Sequence, residues 1–155
     1  MNVKVEPVSV SQSSTYQTLY PRLAIDADLA TYSHTQCAWN TELWYKMEFD
    51  DVHCFSEVVI IQSHWGPRLN NNNAYRMDDT RVFVVNTIKA IESLCGRISI
   101  SGDMTIDGQT YKISCDLKCG DEVKLKLLHD SGKHKACIHM REITAFAIGQ
   151  SVNTF

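Results

Sequence analysis

An unusual concentration of oxygen-bearing side chains marks residues 24–37, AIDADLATYSHTQC. Asp26, Asp28 and Thr31 offer carboxylate and hydroxyl oxygens close together along the chain. Such oxygens, with backbone carbonyls, are the hard ligands that Ca²⁺ prefers, and Ca²⁺ takes about 6 to 8 of them. A further carboxylate must come from elsewhere, and Glu142 is a candidate. The alternative is an Asx turn in which the aspartates bond only to their own backbone.

Cysteine is the second residue type that can do chemistry here. Six cysteines in 155 residues are an even number in a small, β-rich chain. This count is typical of a disulfide framework in an oxidising compartment, and it favours a secreted or extracellular protein. Six cysteines allow about 15 complete pairings, so spacing alone selects none. The alternative is six reduced thiols in a cytosolic protein.

A zinc site is an alternative use of the same residues. Cys115 and Cys119 are followed after nine residues by His129 and His134, which approaches a Cys₂His₂ spacing. Further ligands are available nearby in Cys137 and His139. The intervening EVKLKLL alternates like a strand, however, and the gap is short for a zinc finger with its helix.

Other function classes find little support in the composition and motifs. The formal net charge of −3 provides no basic field for nucleic acid. No apolar run approaches the roughly 20 residues of a membrane span, and MNVKVEPVSV lacks the apolar region of a signal peptide. The sequence contains no glycine-rich phosphate loop, no Gly-x-Ser-x-Gly and no His-Glu-x-x-His. We therefore expect a binding domain, not an enzyme.

The elements that must position these residues are strands. In residues 42–49, Leu43, Tyr45, Met47 and Phe49 share one face of an alternating pattern. The same reasoning predicts further strands at 57–65, 81–87, 122–128 and 142–149. It also predicts a hairpin over 104–114, in which Asp107-Gly108 forms the turn between two alternating segments. No segment has a helical period. We predict a single all-β domain over 1–155, an antiparallel β-sandwich or jelly roll.

These segments, taken in order, resemble a known family. LAIDADLATYSHT, LWYKMEF, SEVVIIQS, YRMDDTRVFV and REITAF follow the order of motifs in discoidin-like domains, which include coagulation-factor C-type domains and F-type lectins (fucolectins). The resemblance covers about residues 20 to 149. It implies an eight-stranded, galactose-binding-domain-like jelly roll with binding loops at one end.

The resemblance also implies a structural Ca²⁺ near those loops. The matching ligand positions are carbonyls, side chains and a closing carboxylate: Leu23, Asp26, Asp28, Thr31, Arg141 and Glu142. Two residues depart from the family pattern. Ala27 stands where the family has glycine, and Arg141 stands where it has cysteine. Ala27 matters because a turn with positive φ is adopted by glycine at little cost.

Two disulfides are implied by the same resemblance, and a third follows by elimination. It suggests that Cys37 pairs with Cys137 and that Cys95 pairs with Cys115 beside the predicted hairpin. Cys54 is then left with Cys119.

The fucose site of F-type lectins, a histidine and two arginines, is only partly matched. Arg76 aligns with the second arginine, and His34 or Trp39 takes the histidine position. The first arginine aligns near Ser63 and is absent. Trp65 and Arg68, on a segment that includes the asparagine-rich loop RLNNNNAYR, are candidates to rebuild a sugar site. Three of these residues have a structural alternative: His34 as a loop histidine, Trp65 as a core residue that ends its strand, and Arg76 in a salt bridge with Asp78 or Asp79.

Two functions follow from this resemblance. The first is a calcium-supported extracellular lectin that binds a glycan or glycoprotein. The second is an adhesion module that binds a cell-surface protein or a lipid head group through the same loops. Oligomerisation is expected in the first case, because a single shallow sugar site binds weakly and lectins gain avidity from several.

Overall fold

The described residues form a β-sandwich of eight antiparallel strands with two short 3-10 helices. The computed structural model describes residues 2–63, 74–100, 109–128 and 135–149. The strands are β1 (Asn2–Val5), β2 (Ser9–Gln12), β3 (Ser33–His34), β4 (Leu43–Gln62), β5 (Arg81–Asn86), β6 (Ile91–Arg97), β7 (Thr110–Leu127) and β8 (His139–Ile148). The 3-10 helices are Pro21–Ala24 and Ala74–Met77. Neither helix in this described part is long enough to cross a membrane.

The strands are hydrogen-bonded in the order β1-β8-β4-β7-β5-β6, while β2 pairs with β4 and β3 pairs with β8. The first part of β4 lies between β2 and β7, and its second part lies between β8 and β7. The register between β4 and β7 shifts between Glu48 and His53. Such an irregularity lets a long strand bend, so one strand serves both layers of a jelly roll. The predicted fold class is confirmed.

The core is built by the alternation seen in the sequence. Leu43, Tyr45, Met47 and Phe49 are all buried, with at most 7% of any side chain exposed. Their neighbours in β4 are less buried, because successive side chains of a strand point to opposite faces. The other large core side chains come mainly from β4, β7 and β8: Phe55, Ile60, Leu125, Leu127, Met140 and Ile143.

Two observed strands are longer than predicted. In each, two alternating segments of the sequence are joined by an irregularity within the strand and not by a loop. The predicted strands 42–49 and 57–65 are joined into β4, and the predicted strand 122–128 is continuous with residues 110–114 in β7. Asp116 and Leu117 in β7 have φ of 51° and 59°, so the chain kinks without leaving the sheet. The Asp107-Gly108 turn lies outside the described residues. That residues 1–155 form one domain stays a prediction.

Three disulfides cross-link the sandwich. They join Cys37 to Cys137, Cys54 to Cys119 and Cys95 to Cys115. Two of these pairs, Cys37–Cys137 and Cys95–Cys115, are those that the family resemblance implies, and Cys54–Cys119 is the pair left by elimination. The alternative zinc set is contradicted, because Cys115 and Cys119 are each bonded to another cysteine. His129 and His134 lie outside the described residues.

Candidate functional site

An open cleft of about 500 Å³ lies at one end of the sandwich. Two of the residues predicted to bind a ligand, His34 and Arg76, both line it. The described residues that line the cleft carry aromatic rings, an amide, a disulfide sulfur and two cationic groups: Tyr16, His34, Gln36, Cys37, Arg76 and Lys135. None of them carries a carboxylate.

Three chain segments are fixed together beneath this cleft. The Cys37–Cys137 disulfide joins the segment after β3 to the segment before β8. Ala38 and Ala136 exchange two backbone hydrogen bonds of 3.0 Å beside it. The Cys137 N–H donates to the Arg76 carbonyl at 3.2 Å. The backbone that carries Gln36, Arg76 and Lys135 is therefore held in place before any ligand arrives.

His34 forms part of the cleft floor. Only 1% of the residue is exposed, and its Nδ1–H donates to the Thr35 carbonyl. Burial lowers the pKa of His34 below 6.5; the Thr35 hydrogen bond opposes this, and the positive charge of Arg76 adds to it. The imidazole is therefore neutral at pH 7, and it presents an apolar face beside a cation.

A second histidine, which the sequence suggests only as a further zinc ligand, supports the first. His139 pairs with His34 across β3 and β8, and the rings stack with centroids 5.3 Å apart and an interplanar angle of 22°. Gln62 Nε2 lies 3.3 Å from His139 Nε2, and Ser63 Oγ lies 2.6 Å from His139 Nδ1. The amide nitrogen can only donate, so Nε2 accepts and Nδ1–H donates to Ser63. No signal in the sequence links His34 to His139, because they become neighbours only through strand pairing.

The position of the missing arginine is filled differently. Ser63 is fully buried, and its hydroxyl is bonded to His139. A neutral, hydrogen-bonded pair therefore occupies the place where the family pattern has a cation. Of the other candidates, Trp65 and Arg68 lie outside the described residues. Trp39 is 45% exposed and does not line the cleft, so His34 fits the histidine position better.

Arg76 makes no ion pair within residues 2–63, 74–100, 109–128 and 135–149. Asp79 pairs with Arg81 at 3.7 Å and with Arg97 at 3.2 Å, while Asp78 Oδ1 accepts from the Ile100 N–H. Among the described residues, the ion pairs of Asp79 are made with Arg81 and Arg97, and none joins Arg76 to either aspartate. Its guanidinium is half-buried at the cleft and is not neutralised by a described residue.

The oxygen-rich loop converges on the Thr31 hydroxyl. Thr31 Oγ1 lies 2.5 Å from Asp26 Oδ2, 3.0 Å from the Asp28 carbonyl oxygen and 3.5 Å from the Leu23 carbonyl oxygen. The alternative Asx turns are present as well: the Asp28 N–H donates to Asp26 Oδ1, and the Ala30 N–H donates to Asp28 Oδ1. Ala27 has φ of 59°, so the turn adopts the conformation for which the family pattern has glycine.

Glu142 approaches this loop from β8. The residue is 9% exposed, and the Ala27 backbone hydrogen-bonds to its carboxylate. Burial raises the pKa of Glu142; Lys4 lowers it, and the nearby carboxylate of Asp26 raises it further. Within the described part of the chain, Glu142 Oε2 is buried without a hydrogen-bond partner. Arg141 precedes it in β8.

Comparison with known proteins identifies the fold. No protein-family model and no curated protein matches the chain. An F-type lectin (fucolectin) from striped bass serum matches with a TM-score of 0.69 and 17% identity, over 92% of this chain and 46% of that one. The chain therefore spans about half the length of that lectin.

Two bacterial modules match over nearly their whole length. A Streptococcus pneumoniae fucose-binding module matches with a TM-score of 0.72 and 17% identity, over 95% of this chain and 96% of that one. The family 32 carbohydrate-binding module of Clostridium perfringens NanJ, solved with galactose, matches with a TM-score of 0.70 and 15% identity, over 94% and 99%. The chain thus has the jelly-roll fold of the F-type lectins and the family 32 carbohydrate-binding modules.

Proposed function

We propose that this chain is an extracellular carbohydrate-binding domain that holds a glycan in the cleft around Arg76. One observation carries the proposal: a half-buried arginine without an ion pair among the described residues shares a preformed cleft with a neutral imidazole and an amide. Guanidinium and amide groups donate to sugar hydroxyls, and flat rings pack on the C–H face of a sugar. The similarity in fold to sugar-binding modules supports this assignment.

The extracellular setting is supported by the cysteines. All six described cysteines are in disulfides. Disulfides persist in oxidising compartments and are rare in the cytosol.

A glycan array tests the proposal. Displayed on a multivalent support, the protein should bind a defined subset of glycans, and Arg76→Ala should abolish the signal. Arg97→Ala is the matched control, because Arg97 is exposed on β6 and pairs with Asp79 outside the cleft. An array blank for the folded protein would overturn the proposal. A cell-surface protein or lipid head group captured through the same loops would then identify an adhesion module.

We further propose that the loop of Asp26 binds a structural Ca²⁺. Leu23, Asp26, Asp28 and Thr31 bring four oxygens together. Glu142 adds a buried carboxylate oxygen without a partner among the described residues, and the Arg141 carbonyl is a further candidate ligand. A cation would neutralise the repulsion between Asp26 and Glu142 that helps raise the pKa of Glu142. When bound, the ion would stiffen the loop between the first 3-10 helix and β3.

Thermal unfolding after chelation tests the calcium site. An ion bound only by the folded state stabilises it, by about 2.7 kcal/mol at 100 times the dissociation constant. Added Ca²⁺ should therefore raise the Tm by several degrees, and Glu142→Gln should remove the shift. Glu122→Gln is the control: Glu122 is also buried, but it lies in β7 near Lys46. If Ca²⁺ did not change the Tm, the calcium proposal would be wrong, and the loop would be stabilised by its Asx turns alone.

A further inference from the structure

Two cationic side chains lie among the described residues of the cleft, and no acidic side chain does. Arg76 and Lys135 both line it, whereas the chain has a formal net charge of −3. Several other cations are close to carboxylates: Lys46 lies 2.9 Å from Glu48, Lys126 pairs with Glu92, and Arg97 lies 3.2 Å from Asp79. Over the described ranges, neither Arg76 nor Lys135 has such a partner.

The other lining residues that the structure describes do not neutralise these charges. His34 is held neutral by burial, and its neighbour His139 is fixed by Gln62 and Ser63 in a tautomer whose Nε2 accepts a hydrogen bond. Gln36 and Tyr16 offer uncharged groups. A ligand entering the cleft therefore meets two positive charges and no carboxylate from a described lining residue.

The positions of the two cations are set by the backbone. Arg76 is anchored through its carbonyl, which accepts from the Cys137 N–H. Lys135 directly precedes Ala136, which exchanges two hydrogen bonds with Ala38. Both side chains thus start from backbone that is held near the Cys37–Cys137 disulfide, and little backbone ordering is needed when a ligand binds.

We propose that the ligand of this cleft is a sugar carrying an anionic substituent, a carboxylate or a sulfate ester, which binds between Arg76 and Lys135. The inference rests on the proposed glycan-binding function and names its substrate class. The planar guanidinium of Arg76 matches two oxygens of such an anion, and the compact ammonium of Lys135 supplies a second point of charge. Gln36 and the ring surfaces then contact the uncharged part of the sugar.

Titration calorimetry with matched sugars tests this inference. The probes are lactose, sialyllactose and sulfated lactose, which share a neutral core and separate the carboxylate from the sulfate. At low ionic strength, at least one acidic probe should bind about tenfold more tightly than lactose, equivalent to about 1.4 kcal/mol. The preference should shrink in 0.5 M salt, because exposed charges are screened at that concentration.

Lys135→Gln should weaken binding of the acidic probe about fivefold and so reduce its preference over lactose, because a single charge-assisted contact is lost. Lys89→Gln is the matched control: Lys89 is an exposed lysine in the turn between β5 and β6, outside the cleft. Circular dichroism establishes that each variant is folded.

Equal affinity for acidic and neutral probes would overturn the inference and leave the proposed function intact. An acidic preference that survives both Lys135→Gln and Arg76→Gln would also overturn it, because the anion would then bind elsewhere. Vesicles containing an anionic phospholipid form a separate arm, and binding there without any sugar binding counts against the inference. If the folded protein binds no probe and no glycan on the array, the proposed function itself fails.

Discussion

The imidazole rings of His34 and His139 stack with centroids 5.3 Å apart, and only His34 reaches the cleft. His139 lies beneath it, fully buried and bonded to Ser63 and Gln62. Tyr111 extends the same network, because its hydroxyl donates to Gln62 Oε1 at 3.2 Å. The floor of the cleft is therefore a polar network, and its hydrogen-bond partners depend on one another.

The first prediction concerns this network. His139→Leu should lower the free energy of unfolding by about 1 to 3 kcal/mol, because the buried polar groups of Ser63 and Gln62 lose a partner. Urea unfolding measures the change. His53→Leu is the control, since His53 is half-buried near Phe49 and Phe55, away from the cleft, and should cost less. If both variants lost the same free energy of unfolding, the hydrogen-bond network of His139 would contribute no extra stability.

The second prediction concerns pH. The pKa of His34 lies below 6.5 in the folded protein because of burial, whereas the unfolded chain titrates near 6.5. The unfolded state therefore binds the proton first, and stability falls as the pH drops from 6.5 through the folded pKa. Above pH 6.5 this residue makes no pH-dependent contribution.

His34→Gln should accordingly flatten the loss of Tm between pH 7 and pH 5, about the range in which a histidine titrates. The difference between the variant and the original chain isolates His34 from the other histidines. Parallel curves for the two proteins would contradict the assignment of a buried, neutral imidazole.

A third prediction separates the roles of two disulfides. Replacing Cys37 and Cys137 with serine should lower stability by about 2 to 4 kcal/mol, the usual value for a native disulfide. It should also weaken glycan binding, because the bond holds the segments of Gln36 and Lys135 together.

The matched variant replaces Cys54 and Cys119, which link β4 to β7 outside the cleft. This variant should unfold more easily, but while folded it should bind the glycan with the same affinity as the original chain. Unfolding curves and glycan binding at a temperature where both variants are folded make the comparison. Unchanged affinity in the first variant would show that the disulfide does not organise the cleft.

The fourth prediction concerns Ala27 in the oxygen-rich loop. Its φ of 59° is unfavourable for a residue with a Cβ atom, by about 1 to 2 kcal/mol. The greater freedom of glycine in the unfolded chain offsets part of this gain, so Ala27→Gly should raise the Tm by about 2 to 4 °C. Ala30→Gly is the control, because Ala30 lies in the same loop without positive φ and should gain nothing. A lower Tm for Ala27→Gly would mean that the added freedom of the unfolded chain outweighs the relief of strain.

The sequence by itself determined the class of fold and the oxygen-rich loop. The alternation of Leu43, Tyr45, Met47 and Phe49 places them on one face of any strand, so they had to be buried together. Some strands were not predicted because they are too short to show an alternating pattern; β3, for example, has two residues. Asp26, Asp28 and Thr31 are close in sequence, so a single turn brings their oxygens together.

Only the tertiary structure decided how the cleft is built. Ser63 directly follows β4 and His139 begins β8, so the two are far apart in the chain, and their hydrogen bond fills the place of an expected arginine. Lys135 enters the cleft because a disulfide and two backbone hydrogen bonds hold its segment beside Gln36. Periodicity and turn composition record local geometry, whereas contacts between distant segments depend on strand register and chain crossing, which no local pattern specifies.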